Sequence, residues 1–309
     1  MKPGRRAFFL PRLLATTPWA NFCQRLSRVV TGRFDDITVD PAQPGRAVLE
    51  VARDEDVYHA RALCVEYGVL LVLPGAVPEN LPVDRHWLTL TLARFDEVGL
   101  FDVRLGTITV QTGCTLGGIR QQILDSGWHW PHGADEQTVG AWLAGAGDWP
   151  PGRCDFSGLV WADVMLATGN FERLGPFGVD STRALRSTVS SKLVSSLFEL
   201  AATLDMPAML AGPVWPCKYR LDAISPLPDP AAGGDGVPNP VHLLLGSEGS
   251  LAWASRVQLQ LQTSAEPRLR IVSGTPETVQ VARGFEYEIA DDQIKGLFDP
   301  SGIFPRPVV

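Results

Sequence analysis

The chain has 309 residues, of which 45% are apolar and 20% charged, and its formal net charge is -7. That balance belongs to a folded globular protein rather than a disordered one. An acidic chain is also a poor candidate for a mainly electrostatic nucleic-acid binder. With 30 glycines and 25 prolines it should be built from short elements and many turns, not from a helical bundle.

The first 36 residues are basic, carrying Lys2, Arg5, Arg6, Arg12, Arg25, Arg28 and Arg33. Gly4 to Leu10 has a superficial twin-arginine look, but Pro11 and Arg12 break the apolar run at once. A docking arm with amphipathic helices is therefore expected here, covering a neighbouring domain or a partner. No run of about 18 apolar residues follows anywhere, so no transmembrane helix is expected. Five well-separated cysteines form no CxxC pair, which argues against a cysteine-based metal or iron–sulfur site in this chain. Reduced thiols in a cytoplasmic protein are the expectation.

From Arg46 the pattern turns α/β. Arg46–Ala52 reads as a strand, and Asp54–Gly68 as a helix with Asp54 as N-cap and Gly68 as C-cap. Val69–Pro74 reads as a second, apolar strand whose exit should be a functional loop. Short strands are expected at WLTLTL, VGLFDVR and TITVQTG, then a helix over Thr115–Gly127 capped by Thr115. Leu159–Gly169 reads as a buried strand and Ser187–Asp205 as a helix. Pro226–Pro240 is loop by composition, and Val241–Gln262 reads as strand, glycine turn, strand. In the last strand Val257, Leu259 and Leu261 share one face.

Between the Thr115 helix and the Leu159 strand lies TVGAWLAGAGDW, Thr138–Trp149. Its small residues let backbone amides approach a ligand closely, and successive amides make a concavity that suits anions such as a pyrophosphate. A Gly/Ala-rich turn with no ligand accounts for the same residues. His129 and His132, with Asp135 and Glu136 nearby, offer metal-ligand chemistry, but no third His or Cys accompanies them at sensible spacing; a structural or ligand-lining role is favoured. Glu248 in GSEG is expected to bond turn amides or an arginine, since burying it unpaired is costly. Pro213–Ile224 is read as a packed surface turn or a contact for a partner.

The order of these segments resembles the FAD-binding domain of the p-cresol methylhydroxylase (PCMH) type, in the vanillyl-alcohol oxidase superfamily. The residues that carry the likeness are RAVLEVARDEDV, VEYGVLLVLPG, TITVQTGCTLGGIRQQILDSGWHWPHGADEQTVGAWLAGAG, LVWADVMLATG, LLLGSEGSLAWASRVQLQL and LFDPSGIFP, covering roughly Asp40–Gln262 and the tail. The resemblance implies an α+β fold of two α+β subdomains, with the cap domain largely missing. That reduced layout is similar to the small FAD-binding subunit of the glycolate oxidases.

The resemblance divides the chain into a basic N-terminal arm (1–36), an FAD-binding domain (37–262) and a short C-terminal remnant and tail (263–309). The cofactor implied is FAD, held non-covalently because the first loop contains no His. The contacts implied are Pro74, Gly75 and Ala76 in the first loop, Thr138, Val139, Gly140, Ala141, Ala144 and Gly147 in the second, and Leu159 and Val160 on the following strand. The first loop departs from the family's glycine-rich run, with Pro74 and Pro78 lacking amide donors. Ala141 stands where the family has glycine; a left-handed conformation there would cost about 1–2 kcal/mol. The partners implied are other subunits of a flavoprotein/iron–sulfur oxidase complex, with a small hydroxy acid as substrate class. No catalytic residue is assigned. A degenerate flavoprotein fold serving as a cofactor-free structural or interaction subunit is the second reading.

Overall fold

The computed structural model describes residues 17–76, 81–178, 181, 183–228, 236–263 and 285–307. Residues 1–16 of the basic arm, Pro78 of the first loop, 229–235 of the proline-rich loop and 264–284 of the remnant lie outside them.

Helix α1 (Pro18–Val29) starts at Thr17, whose hydroxyl accepts from Ala20 N at 3.1 Å, with Pro18 in the first turn. Its apolar face is Phe22 and Leu26, both fully buried in one core with Val57, Ala60 and Cys64 of the following helix. Burying each such side chain contributes about 1.5–3 kcal/mol. The described part of the basic segment is thus built into the fold.

Strand β1 (Arg33–Asp36) pairs antiparallel with β2 (Arg46–Glu50), which alternates because Ala47 and Leu49 point into the core. Helix α2 (Asp54–Tyr67) follows. Asp54 is its first residue rather than its cap: Arg53 takes the cap position and makes no side-chain bond there. The start is supported instead by Asp54, Glu55 and Asp56 in the first turn, a favourable place for negative charge. The buried Asp56 accepts from the amides of Thr31 (2.6 Å), Gly32 (3.0 Å) and Ala52 (3.0 Å). Gly68 ends the helix at φ +66°.

Strands β3 (Leu70–Val72) and β4 (Trp87–Thr91) run parallel to β2, giving the sheet order β1-β2-β4-β3. The crossover from β2 to β3 through α2 makes this an α+β unit.

The second subdomain is antiparallel. Strands β5 (Val98–Asp102) and β6 (Thr107–Gln111) lead to α3 (Leu116–Gln122), capped by Thr115, and to the short β7 (Trp128–His129). Next come α4 (Val139–Gly145), β8 (Leu159–Leu166), β9 (Phe171–Leu174), α5 (Thr188–Thr203) and α6 (Met206–Leu210). Strand β10 (Ala252–Gln260) inserts between β6 and β8, so the order is β5-β6-β10-β8-β9. Val257 and Leu259 are buried on its inner face, and Leu261 just beyond it is buried as well.

Val241–Leu244, expected as a strand, belongs instead to a 3-10 turn, Pro240–Leu244. Both sides of β10 are already taken by β6 and β8, and Asn239 caps the turn by accepting from Val241 N. Strand β11 (Gln262–Thr263) pairs with β7.

Helix α7 (Phe285–Phe298) returns the chain to the first subdomain. The buried Lys295 ammonium donates to Ser250 O at 2.7 Å, to Asp299 Oδ2 at 2.5 Å and to Phe304 O at 3.2 Å. Asp299 also accepts from the Ile303 and Phe304 amides. Leu71 N then donates to Ile303 O at 2.9 Å, placing the tail beside β3. Lys295 and Asp299 therefore tie the tail to both subdomains. The architecture is the two-subdomain α+β fold expected.

Candidate functional site

Three small-residue segments converge where the subdomains meet. Leu73–Ala76 leaves β3 in a turn, with Gly75 at φ +88°. Thr138–Gly147 is not a turn but the helix α4 and its exit. Thr138 caps it by accepting from Ala141 N at 3.1 Å, and the left-handed strain considered for Ala141 does not arise in a helix. Gly246–Gly249 precedes β10 and docks on the C-terminal end of α4, where Gly246 N donates to Leu143 O and Glu248 N to Ala144 O, each at 2.9 Å.

The contacts among these segments are backbone to backbone. A Cβ built on Gly75 falls 2.2 Å from the Ala144 Cβ, and one built on Gly246 falls 2.6 Å from Gly147 Cα. Gly249 approaches Pro74 O in the same way, at 3.0 Å. Between them is a crevice lined by Leu73, Pro74, Gly140, Ala144, Ser247 and Gly249, with a volume of about 30 Å³. That is room for ordered water.

Four amides at this crossing are engaged within the protein. Val139 N donates to Cys114 O at 2.8 Å, Gly140 N to Thr112 O at 2.7 Å, and Ala76 N to Leu73 O at 3.2 Å. Gly147 N donates to Gly145 O at 2.9 Å. In this arrangement those four amides are not free for a diphosphate, and the Gly75–Ala144 contact closes the path between loop and helix. A bound dinucleotide would need the first loop lifted from α4, or its anionic centre held by other groups.

Leu159 and Val160 lie elsewhere. They begin β8 and line a second cavity of about 290 Å³ with Asp222, Leu227, Asn239 and His242. Its lining is mostly apolar and its size is at the lower end of ligand pockets. His242 Nε2 faces Leu159 O at 2.8 Å, and burial pushes its pKa down to about 4. Its ring is therefore neutral near pH 7. The expected contact residues thus divide between a crevice and a cavity.

Pro213–Ile224 is the largest departure from expectation. Pro213 and Val214 are exposed, but from Trp215 onward the segment is mostly core, with Trp215, Cys217, Tyr219 and Leu221 buried. Arg220, only 2% exposed, makes a bidentate pair with the fully buried Asp222 (3.0 and 2.6 Å). It also donates to Gly147 O (2.8 Å), Trp149 O (2.6 Å) and Pro150 O (3.0 Å). Every arm of the guanidinium is used, which is what makes its burial tolerable. It fixes the exit of α4. The Arg-x-Asp spacing was the only signal for it, and that spacing is common on surfaces.

Cys154 is buried with its sulfur 3.8 Å from both Asp222 oxygens; burial, then the Asp222 charge, pushes its thiol well above the ordinary range. It is not a reactive thiolate. His132 sits edge-on to Trp130 and Trp149 (4.9 and 5.0 Å), and burial pushes its pKa down to about 4. Among the described residues no group of three or more His, Cys, Asp or Glu is placed to hold a metal. Glu248 pairs with Lys218, not with an arginine. No helix among the described residues is long and apolar enough to cross a membrane.

No protein-family model matches the chain, and no curated protein does. Among solved structures it is similar to an alkyldihydroxyacetonephosphate synthase in two crystal forms, at 14% and 16% identity with TM-scores of 0.43 and 0.42. Each alignment covers 71% of this chain, and 32% or 33% of the other. It is also similar to a 4-ethylphenol oxidase from Gulosibacter chungangensis in complex with isoeugenol, at 17% identity and a TM-score of 0.49. There 82% of this chain covers 44% of the oxidase. The chain spans from about a third to less than half of the length of these structures.

Proposed function

We propose that this chain is the FAD-binding subunit of a glycolate- or D-lactate-oxidase-like flavoprotein complex, dependent on partner subunits for catalysis. The observation that carries this reading is the convergence of Leu73–Ala76, Thr138–Gly147 and Gly246–Gly249, from both subdomains, on one crevice floored by glycine and alanine. Small residues at such a crossing leave backbone, not side chains, facing a ligand. FAD, when bound, would supply hydride-accepting chemistry. With the first loop lifted from α4, the residues that would face it are Pro74, Gly75, Gly140, Ala144 and Gly147. Neither of the first two segments contains a His or Cys, which supports non-covalent binding.

A hydroxy-acid oxidation also needs a base at the hydroxyl and a cation at the carboxylate. In this reading both are assigned to the partner subunits.

The second reading is a cofactor-free interaction module. It is favoured by the Gly75–Ala144 contact and by the engaged amides of Val139, Gly140 and Gly147.

The absorbance spectrum of the purified chain, with flavin released on denaturation and counted per chain, separates the two. A yellow protein, or a colourless one that takes up added FAD, supports the flavoprotein. A colourless chain that ignores added FAD overturns it.

A further inference from the structure

The cavity at the start of β8 has room for about 290 Å³ and shares no lining residue with the crevice between the subdomains. Its walls come from segments distant in sequence, and hydrogen bonds pin them to one another. Asn239 Nδ2 donates to Val160 O at 3.0 Å, and Asn239 N to Ala223 O at 2.9 Å. Leu227 N donates to Gly152 O at 3.0 Å, and Gln260 N to Gly158 O at 2.7 Å. Gly236 packs so closely on the preceding wall that a Cβ built on it falls 2.7 Å from Leu227 O. Walls fixed in this way make the space preformed, as ligand sites usually are.

The chemistry of the lining changes with depth. Leu227 and Val237, 39% and 38% exposed, form an apolar rim, whereas Leu159, Ala223 and His242 are buried. The charges nearby are already matched, Asp222 by Arg220 and Asp155 by Arg153. Cys154 keeps its proton, because burial holds its thiol well above the ordinary range. The lining therefore has no cation or anion to offer a charged ligand.

One buried polar atom remains to be used. His242 is only 6% exposed, and its Nε2 faces Leu159 O at 2.8 Å. A carbonyl can only accept, so in the neutral ring Nε2 carries the proton and Nδ1 is the acceptor. No described residue donates to Nδ1. A buried acceptor in that position is costly unless a donor reaches it.

We propose that this cavity binds a small neutral molecule of one or two rings, whose apolar body lies against Leu159, Val160 and Leu227 and whose single hydroxyl or N–H donates to His242 Nδ1. Size supports the class: an apolar cavity of about 150 Å³ accepts one benzene ring, and this one is larger. Leu159 and Val160 then serve this ligand and not a flavin. The site goes beyond the flavin reading and does not rest on it.

The test is calorimetric titration of the full chain with indole, with benzofuran, which has the same shape but no N–H, and with indole-3-carboxylate, alongside thermal melts. Indole should bind once per chain. Benzofuran should bind roughly three- to tenfold more weakly, the worth of one net hydrogen bond, and indole-3-carboxylate not measurably. Val160→Phe fills the cavity and should abolish indole binding while the melting temperature is kept. Leu227→Trp narrows the exposed rim and should weaken indole by about tenfold, which decides the matter if Val160→Phe does not fold. His242→Phe should erase the difference between indole and benzofuran. A chain that ignores indole, or binds indole and benzofuran alike, overturns the proposal. So does indole binding that is unchanged in a folded Val160→Phe or in Leu227→Trp, or a preference for indole that survives in His242→Phe. FAD takes no part in these titrations, so the flavin reading stands or falls separately.

Discussion

Gly75 and Ala144 touch so closely that a methyl group on Gly75 would lie 2.2 Å from the methyl of Ala144. One belongs to the turn after β3, the other to α4, so this contact seats the first subdomain on the second. It also sets the width of the crevice.

Gly75→Ala should therefore destabilise the fold, by about 1–2 kcal/mol for the left-handed backbone and a further 1–3 kcal/mol for overpacking. Gly145→Ala is the control: nothing lies within 4 Å of its built Cβ, and it is helical. It should be stabilising by roughly 0.5–1 kcal/mol. Urea midpoints of the two variants should move in opposite directions.

Removing Arg220 leaves the Asp222 carboxylate buried without its cation and three carbonyls of the α4 exit without their donor. Arg220→Met should cost on the order of 3–5 kcal/mol. Arg220→Lys should recover little, since an ammonium cannot span the bidentate pair and the carbonyls together. Denaturant unfolding measures the loss, and limited proteolysis should show new cleavage near Gly147–Pro150.

His242 makes stability depend on pH. Its pKa is about 4 when folded and near 6.5 otherwise. Between those values the unfolded chain binds the proton and the folded chain does not, so stability rises with pH across that window and is lost as pH falls from 6.5 to 4. His132, also pushed to about 4, adds in the same direction. Urea midpoints from about pH 4 to 7 should climb, and His242→Gln should flatten part of that slope. An unchanged slope would show that His242 is not the group responsible.

Lys295 offers a test of how the tail is held. Lys295→Met strands Asp299, although the Ile303 and Phe304 amides still reach it, so the cost should fall toward the lower end of the roughly 3–5 kcal/mol seen for broken buried pairs. The Leu71 amide, bonded to Ile303 O, should then exchange hydrogen faster than its β3 neighbours.

Much of the fold could be read from local pattern. The alternation in Arg46–Glu50 and Ala252–Gln260, the Thr115 cap and the stop at Gly68 are signals that act within a few residues. What failed was non-local. Val241–Leu244 is apolar enough for a strand, but β10 had no free edge to offer. Trp215–Ile224 looked like surface because its Arg and Asp are charged, and only their pairing across the core makes burial tolerable.

Thr138–Gly147 shows where that boundary falls. By itself the sequence determined that this stretch is small and able to bring backbone close to something; that Thr138 caps a helix there came from the structure. Only the tertiary structure decided what that something is: Gly75 and Gly246 pack against it, and Thr112 and Cys114 accept its amides. Small residues permit close approach without specifying the approaching group, because contact distance is encoded in the absence of a Cβ while identity is encoded in the partner. Glu248 is the reverse case. Its letter in GSEG was legible, but its positive φ and an oxygen without a partner among the described residues exist only once β10, α4 and Lys218 are assembled around it.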